Sequence, residues 1–416
     1  MKGKARHDFF YWLGGVVFRP YVLPHKFNFE YDRIKVPYSP YIVVSNHLTN
    51  WDPLLVGLSF KKSMYYVSSD HILRLGLLGK LLNFAVAPIA RAKTAQETQT
   101  VISIFRRLKE KCNICIFAEG TTSFDGKTGE IPYSLSKLAK KTGAALVTYR
   151  ISGAYFSFPR WARFMRRGKM SGKLAQIYSP EQLKAMTEEE IYTSIQKDLY
   201  VNAYDDQKEN PVAFYGKRPA EYLETILYCC PNCGKFSTLK SDDDQLFCSC
   251  GFHVRYNEYG YFELPGTSDP SGRMQESASA PAGSNEKPPF TTILDWMDWQ
   301  KKEIEKTAAA MKDLPGDTPI FCDRDQILYQ VKRASHNTPL ARGTLCLYKD
   351  RLSIENETGE VLEFPLESVI EVNVLTMKTI IFSLNEKKIY EIHSESPRSA
   401  LKYMHIFKAW QSVNKE

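Results

Sequence analysis

Through the first half of the chain, short apolar runs take turns with longer stretches of helical periodicity, and this alternation sharply limits the folds open to it. The runs fall at residues 41–45, 64–67, 85–89, 114–117 and 145–149, with a later one near 174–178. Helical patterns lie at 53–59, 72–82, 95–111 and 133–142. A run such as Tyr41-Ile42-Val43-Val44 has no polar alternate positions, so it suits a strand covered on both faces. Strands of that kind separated by helices predict an α/β domain with a mostly parallel sheet. Thr187 followed by Glu190 has the spacing of a capping box and starts a further helix that closes the domain near residue 205.

A chain of 416 residues is too long for one ordinary core and predicts two or three domains. The boundaries read as an amphipathic N-terminal segment at 1–30, the α/β domain at 31–215, and a small cysteine-rich unit at 226–264. A Ser-, Ala-, Gly- and Pro-rich linker follows at 267–289, with almost no large apolar residue and so no means to pack. Residues 290–416 form a β-rich module. Its strands are expected at 343–348, 351–355, 361–364, 369–375, 379–384 and 388–393. A closing helix at 397–412 has Leu401, Met404, Phe407 and Trp410 at helical spacing. Antiparallel strands closed by one helix resemble a pleckstrin-homology-like module in pattern.

The net charge of +8 suggests an anionic partner without choosing among phosphate groups, a membrane surface and nucleic acid. Near the N-terminus, residues 9–18 are aromatic and aliphatic and are flanked by Lys2, Lys4, Arg6 and Arg19. That run is too short to span a bilayer and has no signal-peptide cleavage site, so it reads as a helix lying in the membrane interface or packed on its own domain. Peripheral or monotopic attachment at the cytoplasmic face follows. The leucines between Leu73 and Leu82 read as core packing rather than as an acyl-chain tunnel. Nine cysteines, an odd number, point to a reducing compartment.

Three strand ends carry polar groups suited to chemistry. His47 and Asp52 are separated by four residues in a strand-to-helix loop, where Asp52-Pro53 reads as an N-cap and first helical position. A neutral imidazole oriented by a carboxylate can take a proton from an alcohol near neutral pH. Arg91 directly follows the apolar Pro88-Ile89-Ala90 and can bind a phosphate through paired hydrogen bonds. Glu119, Gly120, Thr121, Thr122 and Ser123 follow Phe117-Ala118, placing a carboxylate, a glycine and three hydroxyls after another strand. Each site alone has a structural reading; three in one α/β domain favour a common purpose.

In this order, Asn46-His47-x4-Asp52, Pro88-Ile89-Ala90-Arg91 and Phe117-Ala118-Glu119-Gly120-Thr121 resemble the first three motifs of the glycerolipid acyltransferases, nearest to the lysophosphatidic acid acyltransferases. Val147-Thr148-Tyr149-Arg150 falls where that family has its fourth block. The resemblance covers about residues 8 to 205. It implies transfer of a fatty acyl group from acyl-CoA or acyl carrier protein to the free hydroxyl of a lysophospholipid, most closely 1-acyl-sn-glycerol 3-phosphate. It implies His47 as general base, Asp52 as its orienting acid, Arg91 on the acceptor phosphate, and Glu119, Gly120 and Thr121 positioning the acceptor, with Arg150 a second phosphate candidate. The chain departs from the pattern at Ala118 and Thr122, where many members have Pro and Arg, and at Thr148, where Pro is usual. A basic stretch (Arg160, Arg163, Arg166, Arg167, Lys169, Lys173) offers replacements for the missing arginine.

Cys230-x2-Cys233-Gly and Cys248-x-Cys250-Gly form two hooks separated by fourteen residues. Thiolates so spaced grip one tetrahedral ion, which predicts a structural zinc ribbon with Cys229 and His253 as spare donors. Two rival readings stand beside the enzyme: a nucleic-acid-associated protein and a lipid-binding adaptor on a degenerate acyltransferase fold. Asp242, Asp243 and Asp244 in the ribbon's loop count against the nucleic acid, because they repel a phosphate backbone.

Overall fold

Seven strands form the first sheet: Phe29–Tyr31 (β1), Tyr41–Ser45 (β2), Met64–Ser69 (β3), Ile89–Arg91 (β4), Asn113–Phe117 (β5), Ala145–Ser152 (β6) and Met170–Tyr178 (β7). Their order is β1-β7-β6-β2-β5-β3-β4, and every neighbouring pair is parallel except β6 with β7. The computed structural model describes residues 2–69, 76–91, 97–266, 288–331, 339–384 and 388–414. Most of the linker expected at 267–289, and Leu73 and Leu75 of the leucine-rich segment, lie outside those residues.

The unbroken apolar runs sit at the centre of the sheet because it is covered on both sides. Val43, Val44, Ile114, Cys115 and Val147 are fully buried. Onto one face pack Ile104 and Leu108 of the helix Glu97–Lys109, Leu135 and Ala139 of Ser134–Thr142, and Ile191, Ile195 and Leu199 of Glu188–Leu199. Each of the leucines and isoleucines contributes roughly 1.5–3 kcal/mol when fully buried. The capping box at Thr187 and Glu190 is formed. The strand expected at 85–89 is displaced: Ala85 ends the helix Gly76–Ala85 and Ala87 takes a left-handed turn, so β4 begins only at Ile89. The leucines beyond Gly76 are not core where they are described. Leu77 and Leu81 are 84% and 58% exposed.

By packing, the chain divides into two units, Met1–Arg160 with Met165–Gly216, and Trp161–Phe164 with Lys217–Glu416. The second unit holds both the cysteine-rich segment and the C-terminal module. In the former, Leu239–Asp242 (β8), Gln245–Cys248 (β9), His253–Tyr256 (β10) and Phe262–Glu263 (β11) form an antiparallel sheet in the order β11-β10-β9-β8. The module contributes Phe321–Gln330 (β12), Pro339–Leu347 (β13), Arg351–Asn356 (β14), Val361–Pro365 (β15), Val369–Thr376 (β16), Thr379–Leu384 (β17) and Ile389–Ser394 (β18). They form a second antiparallel sheet, ordered β15-β14-β13-β12-β18-β17-β16, with the C-terminal helix Leu401–Asn414 following. Sequence reading missed β12, the central strand. Its pairing shifts register between Asp323 and Gln326, with Asp325 at φ 58°, which spoils the alternation that marks a strand.

The cysteine count pointed away from disulfides, yet Cys322 and Cys346 are bonded. They are directly opposed residues of β12 and β13, a pairing the linear order conceals.

Candidate active site

His47 stands just past the end of β2, and four contacts fix it. Its Nδ1 lies 2.8 Å from Asp52 Oδ2, and its ring stacks on Phe117 with centroids 4.3 Å apart. Its backbone N–H donates to Glu119 Oε1 (2.8 Å), and its carbonyl accepts from Ser123 N (2.9 Å). The preceding Asn46 is fully buried, and its carboxamide exchanges two hydrogen bonds with the Ile151 backbone at the end of β6 (2.9 and 2.8 Å). Motif reading passed over Asn46 and Phe117 as positioning groups; their place beside the histidine and at the end of β5 was the only signal.

Asp52 is fully buried and does two jobs at once. Its Oδ2 accepts from His47 Nδ1, Leu48 N (2.6 Å) and Thr49 N (2.9 Å), while Oδ1 accepts from Thr49 Oγ1 (2.9 Å). It is the first residue of the helix Asp52–Ser59, with Trp51 at the N-cap. The carboxylate therefore caps the turn before the helix, a correction to the sequence reading of Asp52 as the helix's own cap. With Nδ1 bound to the carboxylate, the proton sits there and Nε2 is the basic nitrogen.

Glu119 is a clamp. Oε1 accepts from His47 N and Oε2 from Gly129 N (2.7 Å), tying the histidine loop to the loop beyond β5. Burial lifts its pKa to about 7, against the pull of the two backbone donors. Because the folded value lies above the ordinary 4.5, the neutral carboxyl is favoured in the fold. Its contribution to stability is complete below about pH 4.5 and is lost as pH rises through about 7. The melting midpoint of the native protein should thus fall relative to that of Glu119→Gln between pH 4.5 and 7. Parallel midpoint curves across that window would refute this account.

Gly120 adopts a left-handed φ of 67°, and a Cβ there would collide with the Arg91 guanidinium. Arg91, from the end of β4, thus meets the loop after β5. Thr121 Oγ1 accepts from Arg160, whose guanidinium lies 4.5 Å over the Phe124 ring. Thr122 is buried. Arg150 is exposed on β6, and its charge bears on Asp206; no described contact brings it to His47, Arg91 or Glu119. The rest of the basic stretch disperses: Arg163 pairs with Glu221 (2.8 Å), Lys169 with Glu30 (2.8 Å), and Arg166 is buried.

Residues 27–152, which contain all of these strand ends, match the family model described as Acyltransferase. Over this segment the chain is similar to the acyltransferases. Over 116 residues the chain is 28% identical to a chloroplastic 1-acyl-sn-glycerol-3-phosphate acyltransferase of Arabidopsis thaliana. That match spans 28% of this chain and 32% of the relative's length. Among solved structures, a 1-acyl-sn-glycerophosphate acyltransferase from Thermotoga maritima is 19% identical, covering 51% of this chain and 83% of that one at a TM-score of 0.39. The C-terminal domain of an unknown protein from Leishmania infantum is 12% identical, covering 26% and 95% at 0.18. Scores this low add nothing to that similarity, which rests on the matched segment alone.

Outside the acyltransferase segment, the four hook cysteines converge. The sulfurs of Cys230, Cys233, Cys248 and Cys250 all lie within 4.8 Å of one another, with Cys230 and Cys250 3.7 Å apart and Cys233 and Cys248 3.9 Å apart. A tetrahedral ion with metal–sulfur bonds of ~2.3 Å needs sulfur–sulfur edges of about 3.8 Å. The residues fit, and the cluster can hold a metal ion. Cys229 and His253 stay out of it: the Cys229 thiol donates to Gly234 O, and His253 Nε2 bonds Gln245.

Proposed function

We propose that the acyltransferase segment transfers a fatty acyl group from a thioester, acyl-CoA or acyl carrier protein, to the free hydroxyl of a lysophospholipid. The acceptor of choice is 1-acyl-sn-glycerol 3-phosphate, and the product phosphatidic acid. The observation that carries this reading is the Asp52-bound His47 imidazole, fixed beside an arginine-lined turn. Nε2 takes the proton as the acceptor oxygen attacks the thioester carbon. Asp52 stabilises the resulting imidazolium, as in a serine-protease triad but with the substrate's own hydroxyl as nucleophile. The carbon–sulfur bond then breaks, and the thiolate leaves with the proton from His47. Arg91 binds the acceptor phosphate, and Glu119 holds His47 at the angle the attack requires.

Purified protein given acyl-CoA and a panel of lysophospholipids should form phosphatidic acid and release one thiol per acyl group transferred. Failure with every acceptor and with both donor carriers would overturn the assignment.

The membrane surface supplies the lipid. No helix among the described residues is long and apolar enough to cross a membrane. The helix Lys2–Val17 packs on Gly76–Ala85 through Phe10 and Phe84 (5.8 Å), and Arg6 lies 4.3 Å over the Phe84 ring. Around that contact Phe9, Trp12, Leu77, Leu81 and Phe84 are exposed, an apolar patch with Lys2, Lys4 and Lys80 beside it in sequence. Such a patch suits peripheral attachment at the cytoplasmic face. Replacing Trp12, Leu77 and Leu81 together with glutamate should cut partitioning onto anionic vesicles at least about tenfold. Unchanged sedimentation with vesicles would rule the patch out.

The four-cysteine cluster reads as a structural zinc site, because four sulfurs leave no open coordination position for chemistry.

A further inference from the structure

Two guanidinium groups from distant parts of the chain meet on one two-residue turn. Arg91 comes from the end of β4 and occupies the space a Cβ would need at Gly120. Arg160 lies sixty-nine residues later and donates to Thr121 Oγ1. That turn is not loose. Ser123 N donates to the His47 carbonyl (2.9 Å), and Tyr155 OH donates to the Phe124 carbonyl (3.1 Å), which steadies the ring under Arg160. The loop that carries both cations is thus the loop that holds the general base.

We propose that Arg160 is the second cation of a phosphate-monoester site, working with Arg91 to hold the acceptor's terminal phosphate beside His47. The inference rests on the acyl-transfer reading and narrows its substrate class. Thr122 is buried and carries no charge, so the second cation at this turn comes through space from the segment after β6. Two planar guanidinium groups, one against Gly120 and one on Thr121, suit a dianion with three free oxygens. A phosphodiester headgroup has one negative charge and a substituent that crowds the same turn. Contact with Phe124 and the loop partly desolvates Arg160, which pulls its pKa down to about 10.

The test compares Arg160→Ala and Arg160→Lys with the native chain, using Arg163→Ala as the control for a nearby cation paired elsewhere. Acceptor KM is measured with 1-acylglycerol 3-phosphate, with its phosphocholine counterpart and with phosphate-free 1-acylglycerol. Donor KM is measured alongside, and melting midpoints check folding. Calorimetric binding of glycerol 3-phosphate to the full chain supplies a readout independent of turnover. Expected are an acceptor KM raised about 10–100-fold for Arg160→Ala with the phosphate monoester, partial rescue by lysine, little change with 1-acylglycerol, and weakened glycerol 3-phosphate binding. An unchanged monoester KM overturns the proposal. So does an equal loss with all three acceptors, which would mark loop packing, or a rise confined to donor KM, which would assign Arg160 to the coenzyme's phosphates. If the protein transfers no acyl group but binds glycerol 3-phosphate through Arg160, the phosphate site stands and the acyl-transfer reading falls. Absence of that binding in the native chain overturns the site itself.

Discussion

Replacing His47 with alanine is expected to lower turnover of acyl transfer by about 10³-fold, within the range general-base groups contribute. The fold should survive, because His47's ring is tied by one hydrogen bond and one stacking contact, while its loop is held mainly through backbone groups. Acceptor KM should change little, since the imidazole acts on the proton in flight rather than on the bound ground state. Asp52→Asn makes the sharper companion. A carboxamide with its oxygen in the place of Oδ2 can still accept from His47 Nδ1, Leu48 N and Thr49 N, while its NH2 in the place of Oδ1 donates to Thr49 Oγ1 instead of accepting from it, so the backbone bonds of the loop are kept as the charge is lost. Turnover should then fall about 10²-fold or more, with far-ultraviolet circular dichroism unchanged. Retention of more than a tenth of native turnover by His47→Ala would remove it from the chemistry.

A second large effect is expected at the cysteine cluster. Elemental analysis of the purified chain should find one zinc, and Cys233→Ser or Cys248→Ser should abolish it. Structural zinc sites carry apparent binding free energies of about 10–16 kcal/mol, as large as the whole stability of a typical domain. The loss should therefore spread beyond the hooks. Gln300 of the helix Ile293–Ala310 clamps Tyr228 N (2.9 Å) and Ile226 O (2.7 Å), and Trp296 Nε1 donates to Cys229 O (3.0 Å). Tyr228 OH meets His405 Nδ1 at 2.8 Å, and Lys402 Nζ donates to Ser237 Oγ (2.6 Å) and Asp323 (2.9 Å). The segment leading into the hooks is thus where the module's two long helices dock. Either serine variant should lower the melting midpoint and open 226–264 to protease, as should a strong chelator. An unaltered digestion pattern with a metal-free protein would show the cluster to be dispensable.

How far the sequence could be read depended on how far apart the interacting groups stand. The hooks of the cysteine cluster declare themselves because each pair of sulfurs is set by two or three residues of backbone, and the fold only has to bring two hooks together. His47 and Asp52 are legible for the same reason, five positions apart in one loop. Strands such as β2 and β5 were clear because burial on both faces leaves an unbroken apolar run. The short β1 lacked such a run, and β12 was disguised by its bulge and its charged first half.

Local pattern by itself determined that the chain has an α/β half with polar groups at three strand ends, a four-cysteine cluster and a β-rich module closed by a helix. Only the tertiary structure decided which distant groups share a site. It gave Asp52 its turn of backbone donors and made Glu119 a clamp between His47 and Gly129. It put Arg160 on the Thr121 turn, while Arg163 and Lys169 pair with carboxylates elsewhere. It also set Cys322 opposite Cys346. Short-range geometry is fixed by the covalent chain, whereas a contact across dozens of residues depends on sheet order and register, which many sequences with the same local pattern could satisfy differently.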